Sequence, residues 1–366
     1  MRRALIALVA ASALALTGCG RSTEPGAAGG DAGPKDPADV TVGVAMPTKT
    51  SERWIKDGDF IKQQLEEAGY NVNLQYANDD IPTQVTQLQD MVTKKNDILV
   101  VASIDGTALK GALSDAKADG IPVIAYDRLL RDTDAVDYYT TFDNFKVGVL
   151  QATSLLEGLE ASGAPEPWNV ELFAGSPDDN NATFFFDGAM SVLQPKIDDG
   201  TIVIPSGETD FKTVATLRWD AAVAKKRMEN LLTKSYSAKD VNGVLSPYDG
   251  LSRGILAALK GAGYGGGGKD LPVVTGQDAE LESVKSILAG EQYSSVFKDT
   301  RELATSTVTM IQEVLGGEEV QVNDTDSYEN GVKAVPTMLL EPVSIDESDA
   351  VQVLTDADYY TADQLK

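Results

Sequence analysis

The stretch Asp97-Ile98-Leu99-Val100-Val101-Ala102, residues 97–102, decides the fold. Its apolar residues follow one another without the alternation of a half-exposed strand, which is typical of a strand buried on both faces of a parallel sheet. A predicted helix at 107–119 and a second apolar run at 121–126 come next. A strand, a helix and a strand in this order predict two parallel strands joined by a helix.

The same alternation extends along the chain in both directions. Before this stretch, apolar runs predict strands at 40–46 and 71–76, and a period of about 3.6 residues predicts helices at 54–68 and 81–93. After residue 145 the alternation restarts, with predicted strands at 168–174, 201–205, 241–246, 271–276 and 294–297. Helices are predicted between and after them at 147–161, 183–197, 221–234, 251–259, 281–289 and 302–316. The sequence therefore predicts an α/β fold of two doubly wound, parallel-sheet lobes.

Composition excludes several classes of function. The 366-residue chain has a formal net charge of −25 and contains no histidine. The acidic excess argues against nucleic acid, whose phosphates need basic patches. Because histidine is the commonest general base and metal ligand, its absence excludes Ser–His and Cys–His hydrolases. We expect no catalytic residue, no cofactor and no metal site.

The N-terminus has the pattern of an export signal. Arg2 and Arg3 precede an apolar run at 4–16, which is too short to span a bilayer stably. The run ends at Leu16-Thr17-Gly18-Cys19, which resembles the bacterial lipoprotein box and implies that Cys19 carries the lipid. We expect a lipoprotein signal peptide at 1–18, a flexible tether at 19–39 and an extracytoplasmic body anchored to the membrane through palmitate-type acylation. The alternative is an ordinary secretory peptide with an incidental cysteine.

Polar and aromatic residues recur directly after the predicted strands, where doubly wound sheets bind ligands. These segments cover residues 49–54, 103–106, 127–128, 176–181, 216–220, 246–249, 276–278 and 298. Planar donors and acceptors beside aromatic rings suit a sugar, whose hydroxyls both donate and accept and whose C–H faces pack on rings. Taken singly, the aspartates also fit helix caps, the tryptophans fit core positions and Asp127-Arg128 fits a surface ion pair.

Several of these segments resemble one family. They are Arg53-Trp54, Ala125-Tyr126-Asp127-Arg128, Leu217-Arg218-Trp219-Asp220, Ser246-Pro247-Tyr248-Asp249-Gly250, Thr275-Gly276-Gln277-Asp278 and Phe297-Lys298-Asp299-Thr300. In this order the chain resembles, from about residue 40 to its end, the multiple-sugar-binding and xylose-binding receptors of bacterial ABC importers. Those receptors have the ribose-like periplasmic binding protein type I fold, with two lobes joined by a three-strand hinge.

The resemblance implies where the lobes and the site lie. The chain would cross between lobes near Asn144, Gln277 and Pro336, which gives an N-terminal lobe of 40–144 plus 278–336 and a C-terminal lobe of 145–277 plus 337–366. Ligand contacts would fall on Arg53, Trp54, Asp127, Arg128, Asp179, Asn181, Arg218, Trp219, Asp249, Gln277, Asp278 and Lys298. Trp54, with Phe185 or Trp219, would stack on the sugar ring.

The resemblance also implies how the protein would act. A monomeric receptor would bind a monosaccharide, close its lobes over it and deliver it to the ABC permease. Some relatives dock on a chemoreceptor or kinase when liganded, and such a sensory role is compatible with transport. The sugar stays open between neutral aldoses, such as xylose, glucose, galactose or arabinose, and a sugar acid. A glycosidase or sugar isomerase is the rival from the enzyme class, since it would need an acid–base pair of carboxylates at a working separation.

Overall fold

The chain folds into two lobes, each built around a parallel sheet. The computed structural model describes residues 35–266 and 268–366. The strands are β1 Thr41–Met46, β2 Asn71–Tyr76, β3 Ile98–Val101, β4 Val123–Tyr126, β5 Tyr138–Phe142, β6 Trp168–Leu172, β7 Ile202–Val203, β8 Gly243–Leu245, β9 Val273–Val274, β10 Ser294–Phe297, β11 Thr337–Leu340 and β12 Val343–Asp346.

The helices fall between most of the strands, as the alternation predicted. They are α1 Glu52–Glu67, α2 Ile81–Thr93, α3 Lys110–Ala118, α4 Asn144–Ser162, α5 Asn180–Asp198, α6 Phe211–Val214, α7 Ala221–Ser235, α8 Asp249–Gly261, α9 Leu281–Leu288, α10 Thr300–Gly316 and α11 Ala350–Asp356. Among the described residues no helix separates β4 from β5 or β11 from β12, and β5, α6 and α11 were not predicted. Within the residues that the structure covers, no helix combines the length and the apolar character needed to cross a bilayer.

The first lobe confirms the interpretation of residues 97–102. Its six-stranded sheet has the order β11-β5-β4-β3-β1-β2, and β3 pairs in parallel with both β1 and β4. Leu99 and Val101 pack on one side against a cluster that includes Leu88 of α2. Ile98 and Val100 pack on the other side against a cluster with residues of α1 and α10. The run is continuously apolar because both faces of the strand are covered.

The second lobe contains a parallel sheet and a separate strand pair. The sheet has the order β7-β6-β8-β9, and apolar clusters that contain residues of α4 and α5 or of α7 and α8 pack against it. The strand pair β10–β12 is antiparallel. A bridge between Val296 of β10 and Gln277, which follows β9, connects this pair to the parallel sheet. The predicted alternation stopped at residue 316, so neither β11 nor β12 was predicted, and the expectation of parallel pairing throughout is wrong at this pair.

The chain passes between the lobes three times, and the structure corrects two of the predicted positions. The first passage joins β5 to α4 at Asn144, where it was expected. The second lies at 298–299 and not near Gln277, because β10 belongs to the second lobe. The third lies at 341–342 and not near Pro336, because Thr337–Leu340 pairs with β5 in the first sheet. Residues 278–297 therefore belong to the second lobe and 337–340 to the first.

The predicted tether is also shorter at its C-terminal end. Pro37–Asp39 forms a single 3-10 turn capped by the Asp36 side chain. Asn71 Nδ2 donates to Ala38 O at 2.8 Å, which ties this turn to β2. The ordered body thus begins before residue 40, while the signal segment, residues 19–34 and Cys19 lie outside the described residues.

Three consecutive phenylalanines show that the lobes are in contact. Phe186 packs in the core of the second lobe, whereas Phe184 packs against the core of the first lobe, with its ring 5.2 Å from that of Tyr328. Between them, Phe185 lies 6.2 Å from the Trp219 ring. The first turns of α5 therefore carry an apolar contact that joins the two lobes.

Hydrogen bonds from the same helix also cross between the lobes. Asn181 Nδ2 donates to Asp127 O at 2.7 Å, and the Tyr139 hydroxyl donates to Asn181 Oδ1 at 3.1 Å. These groups are buried, so the bonds are shielded from solvent. Together with Phe184, they make the start of α5 a place where the two lobes are in direct contact.

Replacing Phe184 by alanine should favour separated lobes. A half-buried phenylalanine ring contributes about 1 kcal/mol by removing apolar area from water, and this contribution is lost when the lobes part. We expect the F184A variant to show a larger radius of gyration than the unaltered protein in small-angle X-ray scattering without ligand. F145A is the control, because Phe145 is 44% exposed. Equal radii for F184A and the unaltered protein would contradict this role.

Candidate ligand-binding cleft

A cavity of about 510 Å³ lies where the lobes meet, within the range of small-molecule sites. Both lobes line it, mainly with residues that follow strands β1, β3, β4, β6 and β9. Eleven of the twelve predicted ligand contacts are among the lining residues: Arg53, Trp54, Asp127, Arg128, Asp179, Asn181, Arg218, Trp219, Gln277, Asp278 and Lys298. Segments far apart in sequence thus converge on one cavity.

The start of α1 and the end of β4 supply the first lobe's part. Arg53 lies in the first turn of α1, and its Nη2 pairs with Asp127 Oδ2 at 2.9 Å. Its guanidinium lies 4.4 Å from the centre of the Trp54 ring, and that of Arg128 lies 5.0 Å from the same ring. Trp54 is therefore packed among cations at the cavity wall, where aromatic rings attract positive charge.

Asp127 remains an anion in this buried position. Burial alone would raise the pKa of Asp127, but Arg53, Lys298 and Arg128 outweigh it and lower the pKa below its ordinary value. An ionised carboxylate accepts hydrogen bonds and does not donate them. Asp127 can therefore serve as an acceptor for a hydroxyl in the cavity.

A short ion pair between Arg128 and Asp179 joins the lobes across the cavity. Arg128 Nε lies 3.0 Å from Asp179 Oδ2, and the Trp219 indole also donates to that oxygen at 3.2 Å. Burial raises the pKa of Asp179, although Arg128 opposes the shift. Arg128 Nη1 donates to Ser103 O at 3.1 Å, which fixes the guanidinium on the first lobe.

A second group of polar atoms comes from the hinge side of the second lobe. Lys298, 2% exposed, pairs with Asp278 Oδ1 at 3.0 Å, and Arg53 Nη1 lies 3.8 Å from the same oxygen. Gln277 Nε2 donates to Pro247 O at 3.2 Å, while its Oε1 has no hydrogen-bond partner among the described residues. A buried acceptor without a hydrogen-bond partner costs about 1–3 kcal/mol of stability. Gln277 Oε1 is therefore a candidate acceptor for a ligand hydroxyl.

Arg218 and Trp219 project into the cavity from a tight turn. Both have a left-handed backbone, with φ of 60° and 55°. Ser176 Oγ accepts from Arg218 N at 2.8 Å, and Arg218 Nη1 pairs with Asp178 at 3.0 Å. A Cβ on Gly175 would lie 2.0 Å from the Trp219 ring, so glycine allows the indole to pack there. The turn is thus fixed at both residues.

Asp249 does not line the cavity, which contradicts its predicted contact with a ligand. It is 0% exposed, and its oxygens accept from Gln292 at 2.8 Å, Ser295 at 3.0 Å and the Glu280 amide at 2.8 Å. Burial, with the nearby Glu280 carboxylate, raises its pKa to about 8. The helix-cap interpretation is also wrong, because Tyr248 is the N-cap of α8 and Asp249 accepts from residues outside that helix; its bonds stabilise the second lobe.

The residues beside Asp249 belong to the site instead. Tyr248 and Arg253 line the cavity and both bond Glu280, with the Tyr248 hydroxyl at 2.7 Å and Arg253 Nη2 at 2.6 Å. Ser51 of the first lobe also donates to Glu280, at 3.1 Å. Tyr248 was in the quoted motif, and Arg253 is one helical turn beyond Asp249, so a helical projection would have found it.

Comparisons with known proteins agree with this geometry. The periplasmic binding protein domain family matches residues 42–319. The multiple sugar-binding periplasmic receptor ChvE of Rhizobium radiobacter is 58% identical over 326 residues, 89% of this chain and 92% of the receptor. The corresponding protein SbpA of Azospirillum brasilense is 56% identical over 89% of this chain and 91% of its own length.

A solved structure shows the same fold at high similarity. The solute-binding protein of an ABC transporter from Clostridium phytofermentans, with bound β-D-glucose, superposes with a TM-score of 0.84 at 45% identity, covering 89% of this chain and all of that one. The resemblance predicted from the strand-end motifs is confirmed. The chain belongs to the periplasmic binding protein family, as a relative of the multiple sugar-binding receptors.

Proposed function

We propose that this protein is the extracytoplasmic receptor of a sugar ABC importer and that it binds a neutral aldose in the cleft. The observation that carries the proposal is the convergence of carboxylates, cations and aromatic rings from both lobes on one cavity. The names of the relatives, which are multiple sugar-binding receptors, and the glucose bound by the Clostridium protein support it. These relatives are receptors and not enzymes, so the glycosidase and isomerase alternatives gain no support.

The chemistry of the cavity matches a polyol. Asp127 and Asp278 supply acceptors, while Arg53 and Lys298 supply donors, so one sugar hydroxyl can donate to an anion and accept from a cation. Trp54 and Phe185 supply apolar surface for C–H faces. The proposed contact set is the eleven lining residues given above, together with Tyr248.

Charge balance favours a neutral sugar over a sugar acid. Each cation that lines the cavity already has a carboxylate partner: Arg53 with Asp57 and Asp127, Arg128 with Asp179, Arg218 with Asp178, Arg253 with Glu280 and Lys298 with Asp278. A uronate would bring an additional negative charge into this buried set, and an unpaired buried charge is costly. A neutral aldose adds hydroxyls and no charge.

Lobe closure is the proposed mechanism of delivery. Sugar hydroxyls that bond Asp127 on one lobe and Asp278 on the other would be fully satisfied only when the lobes are closed. Because such a ligand binds the closed form better, it shifts the equilibrium towards closure. The permease would then recognise the closed face, and docking on a chemoreceptor or sensor kinase is the alternative that a pull-down with and without sugar tests.

Attachment to the membrane through Cys19 and a monomeric state are further proposals. Leu16-Thr17-Gly18-Cys19 supports acylation, because it resembles the bacterial lipoprotein box. Two acyl chains on Cys19 would give stable anchoring. Mass spectrometry of the mature N-terminus tests the lipid, and light scattering tests the monomer.

Asp278→Asn should weaken sugar binding strongly. The change removes an acceptor and leaves buried Lys298 without its anion, which costs about 2–5 kcal/mol in comparable buried charge pairs. Titration calorimetry with D-glucose measures the loss, and exposed Asp90→Asn is the matched control. Unchanged affinity of D278N, with tight binding by the unaltered protein, would remove Asp278 from the site.

A screen of sugars should separate aldoses from their acids. At a ligand concentration about 1,000 times Kd, binding stabilises the folded protein by about 4 kcal/mol, which raises Tm. We expect a neutral pentose or hexose to raise Tm, and the matching uronic acid to need at least about 100-fold more ligand, because like charges in a buried site repel by several kcal/mol. A larger shift with glucuronate than with glucose would reject the charge argument, and no shift with any sugar would reject the proposed function.

A further inference from the structure

Asp57 is a buried carboxylate that touches the site without lining it. It is 0% exposed and lies one helical turn after Arg53 on α1. Arg53 Nε donates to Asp57 Oδ2 at 3.0 Å, and Arg53 Nη2 lies 2.9 Å from the same oxygen. The Tyr126 hydroxyl donates to Asp57 Oδ1 at 2.7 Å. Both carboxylate oxygens are therefore used.

These bonds join two segments that carry the first lobe's site residues. Arg53 and Trp54 lie at the start of α1, while Tyr126 directly precedes Asp127 at the end of β4. Without Asp57, the Arg53–Asp127 pair and the contact of the Arg128 guanidinium with the Trp54 ring would still join the two segments, but the Nε edge of Arg53 would lose its carboxylate. A guanidinium is a planar fork, so fixing one edge determines where the other edge points.

Asp57 and Asp127 hold one edge of the Arg53 guanidinium, and the opposite edge faces the cavity. Nε and Nη2 are directed at Asp57 and Asp127, while Nη1 lies 3.8 Å from Asp278 Oδ1. That separation exceeds hydrogen-bond length, so Nη1 keeps donor capacity in the cavity. Asp57 itself is not among the lining residues.

We propose that the Asp57 carboxylate, held by the Tyr126 hydroxyl, positions the Arg53 guanidinium for the sugar, so that sugar affinity depends on Asp57 being ionised. The inference rests on the proposed function of the cleft. It makes Asp57 a positioning residue that acts through Arg53.

Asp57 gains and loses its charge within a pH range in which sugar binding can be measured. Burial is the largest cause and raises the pKa of Asp57 to about 6. The negative charge of Asp127 adds to this rise, whereas the charge of Arg53 and the hydrogen bond from Tyr126 oppose it. Asp57 is therefore charged above pH 6 and loses its charge as the pH falls through 6. Affinity for a neutral sugar should fall over the same interval.

Two tyrosines near Asp57 stay neutral in this interval. Tyr76 at the end of β2 and Tyr359 of the C-terminal segment face it, and burial raises the pKa of Tyr76 to about 12 and also raises the pKa of Tyr359. Helix α10 packs on α1 through apolar side chains such as Leu303. Asp179, however, lines the cavity with a raised pKa, so a pH profile of the unaltered protein alone would mix two carboxylates.

The ratio of two affinities isolates Asp57. Titration calorimetry with D-glucose from pH 5 to 8 compares the unaltered protein with D57N, whose side chain is neutral at every pH. We expect D57N to bind about tenfold to a hundredfold more weakly at pH 8, the range for one charge-assisted hydrogen bond. The ratio should approach one below pH 6, where the side chain at position 57 is neutral in both proteins. A ratio independent of pH overturns the inference.

Tyr126→Phe gives a second readout that survives if D57N does not fold. Removing the hydroxyl removes a bond that lowers the pKa of Asp57, so the pH midpoint of affinity loss should rise by about half a unit to one unit. Tyr236→Phe is the matched control, because the Tyr236 hydroxyl donates to buried Glu171 at 2.9 Å outside the cavity. Its midpoint should equal that of the unaltered protein. The same midpoint for Y126F as well would assign Tyr126 a purely structural role.

Failure of this inference differs from failure of the function. If D-glucose and other aldoses bind the unaltered protein but the D57N ratio is flat, Asp57 does not act through its charge. If no aldose binds at any pH, the cleft is not a sugar site and both proposals fall.

Discussion

Charged side chains that leave water must find partners, and the cleft depends on this constraint. Three cations and four carboxylates lie almost out of solvent at the junction of the lobes: Arg53, Arg128, Lys298, Asp57, Asp127, Asp179 and Asp278. Some of their pairs lie within a lobe, but Arg128 and Asp179 meet only across the cavity. Separation of the lobes returns both groups to water, where hydration replaces the pair. The Arg128–Asp179 pair therefore depends on the two lobes being in contact, and the same charges can also be satisfied by hydration when the lobes are apart.

The backbone shows how the site residues reach into that junction. Asp127 and Asp278 adopt positive φ, 59° and 88°, which non-glycine residues seldom do. Each such residue costs of order 1–3 kcal/mol and persists only where its surroundings fix it. Here the fixing contacts are backbone bonds at 2.8 Å, from Asp127 N to Thr140 O and from Asp278 N to Val296 O. The neighbouring strand in each lobe thus holds a carboxylate in an orientation that a relaxed loop would not give it.

How far the sequence predicts this structure depends on the range of the interaction. The apolar run of β3 was read correctly because burial on both faces leaves a local pattern, and strand ends located the cleft because parallel strands share one edge. Asp249 was misplaced because a strand-end position does not say which of two adjacent polar residues faces the cavity. The passages at 298–299 and 341–342 were missed because β11 and β12 are four-residue strands outside the strand–helix alternation. Asp57 was not found because its partner Tyr126 is 69 residues away.

Two buried tyrosine–carboxylate pairs show how position gives one chemical arrangement two roles. Tyr126 donates to Asp57 in the first lobe, and Tyr236 donates to Glu171 in the second. Burial raises the pKa of both carboxylates, so folding disfavours their charged forms and both pairs lose stability as the pH rises through the folded pKa. In the second lobe the remaining Glu171 oxygen accepts from Ser206, which holds a loop away from the cleft. In the first lobe the remaining Asp57 oxygen accepts from the Arg53 guanidinium, which lines the cavity. The free energy of burying the Asp57 charge therefore depends on a residue of the cleft.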